Sequence, residues 1–179
     1  MEQRETMGLF DKIRRKTACN YTAARRPRPE DVWEISDRTA FLIAMSERLW
    51  EKCGEGERLS ALSPEERTAY AVDAFQREVN NGGFEQYLYK SSGALAGELL
   101  DALRAVGAER VAEIYRPALA VYPGGWPADE EERRALLDEA LTERVSDLVD
   151  QCDERFYECS DDLEQLLYHC IVQNRRSFE

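Results

Sequence analysis

The sequence predicts an all-α protein, a compact single-domain bundle of about seven or eight helices. Apolar residues recur at three- and four-residue steps along most of the chain. No segment shows the alternation of a half-buried strand, and the breaks fall on Gly, Pro and Asn clusters. At 179 residues the chain is one domain by length. It is long enough to bury roughly 70% of its unfolded surface, so it needs no covalent staples. No fixed-period repeat is present.

Residues 1–30 form a basic arm before an acidic helical domain at 31–179. The arm holds "DKIRRK" and "AARRPRPE", and the second string, with its two prolines, has the composition of an extended linker. From Asp31 to Cys53 the pattern is helical through Ile35, Phe41, Leu42, Met45, Leu49 and Trp50, with Gly54 as the stop. The loop "EGERLSAL" follows. In "SPEE", Ser63 can cap a helix, Pro64 suits its first position and Glu66 completes a capping box. That helix, carried by Tyr70, Val72, Phe75 and Val79, should end near Asn80 or Asn81.

After "NNGG", "FEQYLY" predicts a short helix and "KSSG" breaks it. "ALAGELLDALRAV" is helical up to Gly107. "AERVAEIYRPALAVY" is helical, with Pro117 kinking or dividing it, and "PGGWP" is a firm break. From Asp129 one helix should run to about Cys159 on Leu137, Leu141, Val145, Leu148, Cys152 and Phe156. "SDDLEQLLYHCIVQN" makes the last helix, capped by Ser160 or Asp161.

The charge is uneven. The net charge is −12. Residues 1–30 carry eight Lys/Arg against four Asp/Glu, a net of +4, which leaves −16 on residues 31–179. Residues 127–164 alone hold fifteen acids against four arginines, a net of −11. Such a chain repels nucleic acid and anionic membranes and attracts basic partners. An odd count of five cysteines without regular spacing argues against a disulfide framework. No apolar run approaches the ~20 residues of a membrane span, and the first ten residues lack an apolar signal core. The expectation is a cytoplasmic protein with free thiols.

Catalytic signatures are missing. The one histidine, His169, lies in "LYHCIV", where helix-face packing explains it. His169, Cys170, Cys159 and Cys152 lack zinc-ligand spacing. No P-loop or dinucleotide fingerprint occurs. No metal and no cofactor is expected. On a helix drawn from Leu137, Glu132, Glu139, Glu143, Asp147, Asp150, Asp153 and Glu154 gather opposite the apolar stripe, with Asp129, Glu130 and Glu131 at its start. Like charges three and four residues apart cost a helix stability. A solvated helix face accounts for the row; so does a surface that engages Lys/Arg-rich, DNA-binding proteins with strong salt dependence.

The remaining question is "EVNNGGFEQY". Glycine takes positive φ freely and asparagine tolerates it, so Asn80, Asn81, Gly82 and Gly83 can make a tight corner. Phe84, Tyr87 and Tyr89 would pack back on the helix just left, and Glu78, Asn80, Asn81 and Gln86 would bond the exposed backbone ends. The alternative is an enzyme or small-ligand site of Glu78, Asn80, Asn81, Glu85 and Gln86, beside a carboxylate of raised pKa.

The whole string from Glu78 to Gly93, "EVNNGGFEQYLYKSSG", resembles the signature of a bacterial family that contains a DNA-mimic protein. The shared positions are Glu78, Asn80, Asn81, Gly82, Gly83, Phe84, Gln86, Tyr87, Ser91, Ser92 and Gly93. "AVGAERVAEI", "DERFYE" and "LLYHCIVQN" extend the likeness over roughly residues 60–178. Lys90 stands where an amide is expected and Leu88 where an aromatic is common. The resemblance implies an all-α acidic homodimer that is not an enzyme and whose carboxylates occupy a DNA-binding regulator in place of DNA. It binds no nucleic acid itself. An immunity-type partner that blocks a basic toxin would use the same face.

Overall fold

The computed structural model describes residues 31–121, 125–140 and 143–179, without the side chains of Ala140, Glu143 and Arg144. The basic arm lies outside the described residues. Eight α-helices account for most of what is described: α1 (Arg38–Lys52), α2 (Pro64–Tyr89), α3 (Ala96–Ala105), α4 (Glu109–Ala120), α5 (Glu130–Ala140), α6 (Glu143–Glu158), α7 (Leu163–Gln173) and α8 (Arg175–Phe178). Among the described residues there is no strand, and no helix is long and apolar enough to cross a membrane.

The bundle is built round α2, which packs against α1, α3, α5, α6, α7 and α8. This follows from its sequence, because Ala69, Val72, Ala74, Phe75, Val79, Phe84 and Tyr87 are all buried. Phe75 is the hub. Its ring meets Phe84 at 5.3 Å, Tyr87 at 5.2 Å, Tyr115 of α4 at 5.7 Å and Phe156 of α6 at 5.6 Å, each edge-on, the geometry aromatic quadrupoles favour.

The helix starts follow side-chain caps. Ser63 Oγ accepts the Glu66 amide at 3.2 Å while Glu66 returns a bond to the Ser63 amide at 2.8 Å, the predicted capping box. The buried Glu66 carboxylate also holds the Lys52 ammonium at 2.6 Å, which ties α1 to α2. The first predicted helix starts later than its apolar pattern suggests. Asp31 caps a 3₁₀ turn at Val32–Glu34, the chain becomes extended at Ile35, and Asp37 caps α1 by accepting the Ala40 amide at 2.8 Å. Another 3₁₀ turn, Leu59–Ala61, lies inside the predicted loop. Pro117 does not divide α4, since it falls in the last turn. The last helix is capped by Asp162, not by Ser160 or Asp161. Asp161 instead accepts the Arg110 amide at the start of α4.

Where one helix is expected from Asp129 to about Cys159, helix is described over Glu130–Ala140 and over Glu143–Glu158; α5 docks on α2 and the 91–95 turn, and α6 docks on α4 and α2. The predicted carboxylate row runs along both.

Candidate functional site: a clamped corner and an acidic face

The expected corner is a kink confined to two residues. Asn80 and Asn81 stay helical, and the break falls on Gly82 (φ −166°, ψ 23°) and Gly83 (φ 83°, ψ −177°). Gly83 occupies a region essentially closed to residues with a Cβ. Neither asparagine adopts positive φ.

The backbone groups freed by the kink are satisfied from α6. Asp153 Oδ1 accepts the Phe84 amide at 2.8 Å, capping the resumed helix, and the Tyr157 hydroxyl donates to the Val79 carbonyl at 2.7 Å. The two side chains are four residues apart, hence on one face of α6. Gly83 makes this approach possible, since a Cβ there would overlap Asp153 Oδ2. Gln86 does not bond the backbone ends as expected. Its amide donates to Glu78 Oε2 at 2.8 Å, across the bare face of Gly82. Phe84 and Tyr87 are buried as expected, but Tyr89 is exposed, with the Arg134 guanidinium 4.6 Å above its ring. The side chains of Asn80, Asn81 and Glu85 are exposed.

A second clamp closes the other end of the motif. Arg133 of α5 is 0% exposed. Its guanidinium donates to the carbonyls of Leu88 (2.7 Å), Lys90 (2.5 Å), Pro127 (3.0 Å), Ala128 (3.1 Å) and Asp129 (3.4 Å). Gly93 admits it, because a Cβ there would stand 2.6 Å from both Arg133 Nε and the Leu88 carbonyl. Ser92 adds a 3.4 Å bond to the Tyr87 carbonyl, while Ser91 is exposed. The two glycines that close the halves of the motif thus each admit one charged side chain from the acidic segment.

Asp153 accordingly does not belong to the outward row in which the sequence placed it. It follows Val149 by one turn on the buried side of α6 and is only 4% exposed. Burial raises its carboxyl to about 6, helped by the nearby Asp150 and Glu85 charges and opposed by the Phe84 N–H.

The other predicted acids lie at the surface. Asp129, Glu131, Glu132, Glu139, Asp147, Asp150 and Glu154 are exposed, and Glu130 is half-buried in a pair with Arg134. Asp129 also accepts the Glu132 amide at 2.9 Å, capping α5. The Glu143 side chain lies outside the described set. On α6 the outer line is Asp147, Asp150, Glu154 and Glu158; sequence reasoning missed Glu158. Their three- and four-residue steps give an axial spacing of ~4.5–6 Å. Among the described residues no Lys or Arg stands within 4.0 Å of Glu131, Glu132, Glu139 or these four.

Beside the corner, a cleft of about 280 Å³ is lined by Gln76, Asn80, Phe156, Tyr157, Cys159 and Asp161, among others. Asp153 is not in its wall. Among the described residues no group of three His, Cys, Asp or Glu could hold a metal ion.

A family model described as DMP19-like protein matches residues 60–174, more than half of the chain. No curated protein and no solved structure matches it. The match covers both clamps and all of α5 and α6, and it begins after α1.

Proposed function

The chain belongs to the DMP19-like family, a DNA-mimic family, and on that premise we propose that it is a non-enzymatic binding protein. Its outer α5–α6 carboxylates engage a basic protein made for DNA. The observation that carries this reading is the run of exposed carboxylates without a described cation beside them, on the two helices whose inner faces hold the family motif. Along α6 the acids follow one another at ~4.5–6 Å, a line charge within a factor of two of the one charge per ~3.4 Å on a nucleic-acid strand. Asp129, Glu130, Glu131, Glu132, Glu139, Glu143, Asp147, Asp150 and Glu154, with Glu158 added, are the contact set. The corner residues Glu78, Gly82, Gly83, Phe84 and Gln86 serve the fold.

The test is capture from lysate of the source cell, with duplex DNA as competitor. Wild-type chain should retain a DNA-binding protein that DNA displaces and that a Glu131/Glu132/Glu139/Glu154-to-Gln variant does not hold. A retained partner indifferent to DNA and to these substitutions would sink the reading. A toxin as the retained protein would instead identify an immunity-type role for the same face.

A second reading, a small-ligand site, is favoured by the cleft beside Asn80, where two amides, the three carboxylates of Asp161, Asp162 and Glu164, and two aromatic rings converge. A ligand there would raise the melting temperature of wild type and not of Asn80→Leu. An unchanged response in both removes this reading.

A further inference from the structure

The cleft beside the corner borders the outer line of acids. Gln76 and Asn80, one turn apart on α2, contribute to its wall, as do Phe156 and Tyr157 at the end of α6. Tyr157 falls ~60° round α6 from Glu154, so the row and the cleft share one edge of that helix.

Three features set the chemistry of a guest. The first is charge. The wall holds the carboxylates of Asp161, Asp162 and Glu164 and no described Lys or Arg. Arg38 stands 3.2 Å from Asp162 and 3.8 Å from Glu164, and Arg110 stands 4.0 Å from Asp161. Two cations answer three acids, so the excess charge is negative. Asp161 and Asp162 also accept the amides of Arg110 and Gln165. The helix starts of α4 and α7 are thereby capped and offer little to an anion. The second feature is flat apolar surface. The Phe156 and Tyr157 rings lie 5.8 Å apart at 76°. Tyr157 is 40% exposed and its hydroxyl is spent on the Val79 carbonyl, which leaves the ring to a guest. The third is unspent hydrogen bonding. Among the described residues, neither the Gln76 nor the Asn80 side chain has a hydrogen-bond partner, and each carries an acceptor oxygen.

A planar cation with several N–H donors meets all three features. A guanidinium stacks on aromatic rings and forks onto oxygens, whereas an ammonium is compact and strongly hydrated. Proteins made for DNA carry such arginines for phosphates and guanine edges. Resting on the reading of the outer face as a contact for a DNA-binding protein, we infer that the cleft receives one arginine side chain of that partner. Its guanidinium lies against the Tyr157 ring, with its N–H groups toward the Gln76 and Asn80 oxygens and the Asp161 carboxylate. An arginine seated in a pocket of this kind is a typical interface hot spot.

Two measurements test this. In the first, N-acetyl-arginine amide and its neutral citrulline counterpart are each titrated into the full chain by NMR. The side-chain amide signals of Gln76 and Asn80 should shift with arginine and stay fixed with citrulline. In Asn80→Leu, a change at an exposed position, the Gln76 signal should no longer respond. Equal shifts with both probes, or none with either, overturn the inference. In the second, affinity for the captured DNA-binding protein is compared between wild type and Asn80→Leu. It should fall about ten-fold, at unchanged salt slope because no charge is removed. Loss of the arginine probe with wild-type affinity for the partner would give the cleft to a free guanidinium compound and overturn the inference. If wild type retains no DNA-binding protein, the reading of the face fails and takes the partner's arginine with it. The probe titration needs no partner, so it separates that failure from a cleft that binds no guanidinium.

Discussion

The corner and the acidic face are built from the same two helices, and they treat charge in opposite ways. At the corner, Arg133 and Asp153 are buried and spend their hydrogen bonds on backbone groups of α2 and its flanking turns. On the outer side, Asp147, Asp150, Glu154 and Glu158 face water with no described cation within reach. A buried charge is tolerated only when its bonds are complete. An exposed row of like charge costs little and is available to a partner. The difference separates the residues that make the fold from those that can recognise something. Four variants should break or sharpen that separation.

Gly83→Ala should have the largest effect. The new methyl meets Asp153 Oδ2 in a backbone region that excludes it, so urea unfolding should register a loss of roughly 3–5 kcal/mol or no folded protein. Arg133→Met comes next. It keeps the apolar stem but leaves the Leu88 and Lys90 carbonyls without their donor, for a loss of about 2–4 kcal/mol in the same measurement.

Asp153→Asn should change the shape of the pH profile. The folded carboxyl titrates at about 6, above the ~3.9 of an unfolded aspartate. A raised acid contributes stability below its unfolded pKa and loses it as pH climbs through its folded one. Wild type should therefore lose about 2–3 kcal/mol relative to Asp153→Asn between pH 4 and pH 7. The substituted side chain keeps a carbonyl oxygen that can accept the Phe84 amide, so the cap itself survives the change. Parallel profiles would show that Asp153 is solvated. The smallest effect belongs to the outer row. Converting Asp147, Asp150, Glu154 and Glu158 to their amides should change stability by no more than about 0.5 kcal/mol per site, because like-charge relief on a helix surface is small.

Much of this division was legible in the sequence. The capping box at Ser63, the periodic run through Tyr70, Phe75 and Val79, and the breaks at Gly54 and Gly107 all report local physics, and local physics decides them. The family signature located the corner for the same reason, since Gly83 and Gly93 are required by close approach. What makes the approach was hidden. Arg133 and Asp153 lie 40 or more positions further along, amid acids and arginines of the same type. Only tertiary packing distinguishes a clamp from a surface charge. One local clue to Asp153 existed, because Val149 precedes it by a full turn and pulls it toward the core.

The central claim is that the outer carboxylates, and not the corner, hold a basic partner. The most direct test is the salt dependence of affinity for the captured DNA-binding protein. It compares wild type with the four-amide variant Asp147→Asn, Asp150→Asn, Glu154→Gln and Glu158→Gln. The account predicts a steep loss of affinity with salt for wild type, and weaker binding with a distinctly flatter slope for the variant, at unchanged helix content. Equal affinity and equal slope in the two proteins would contradict it.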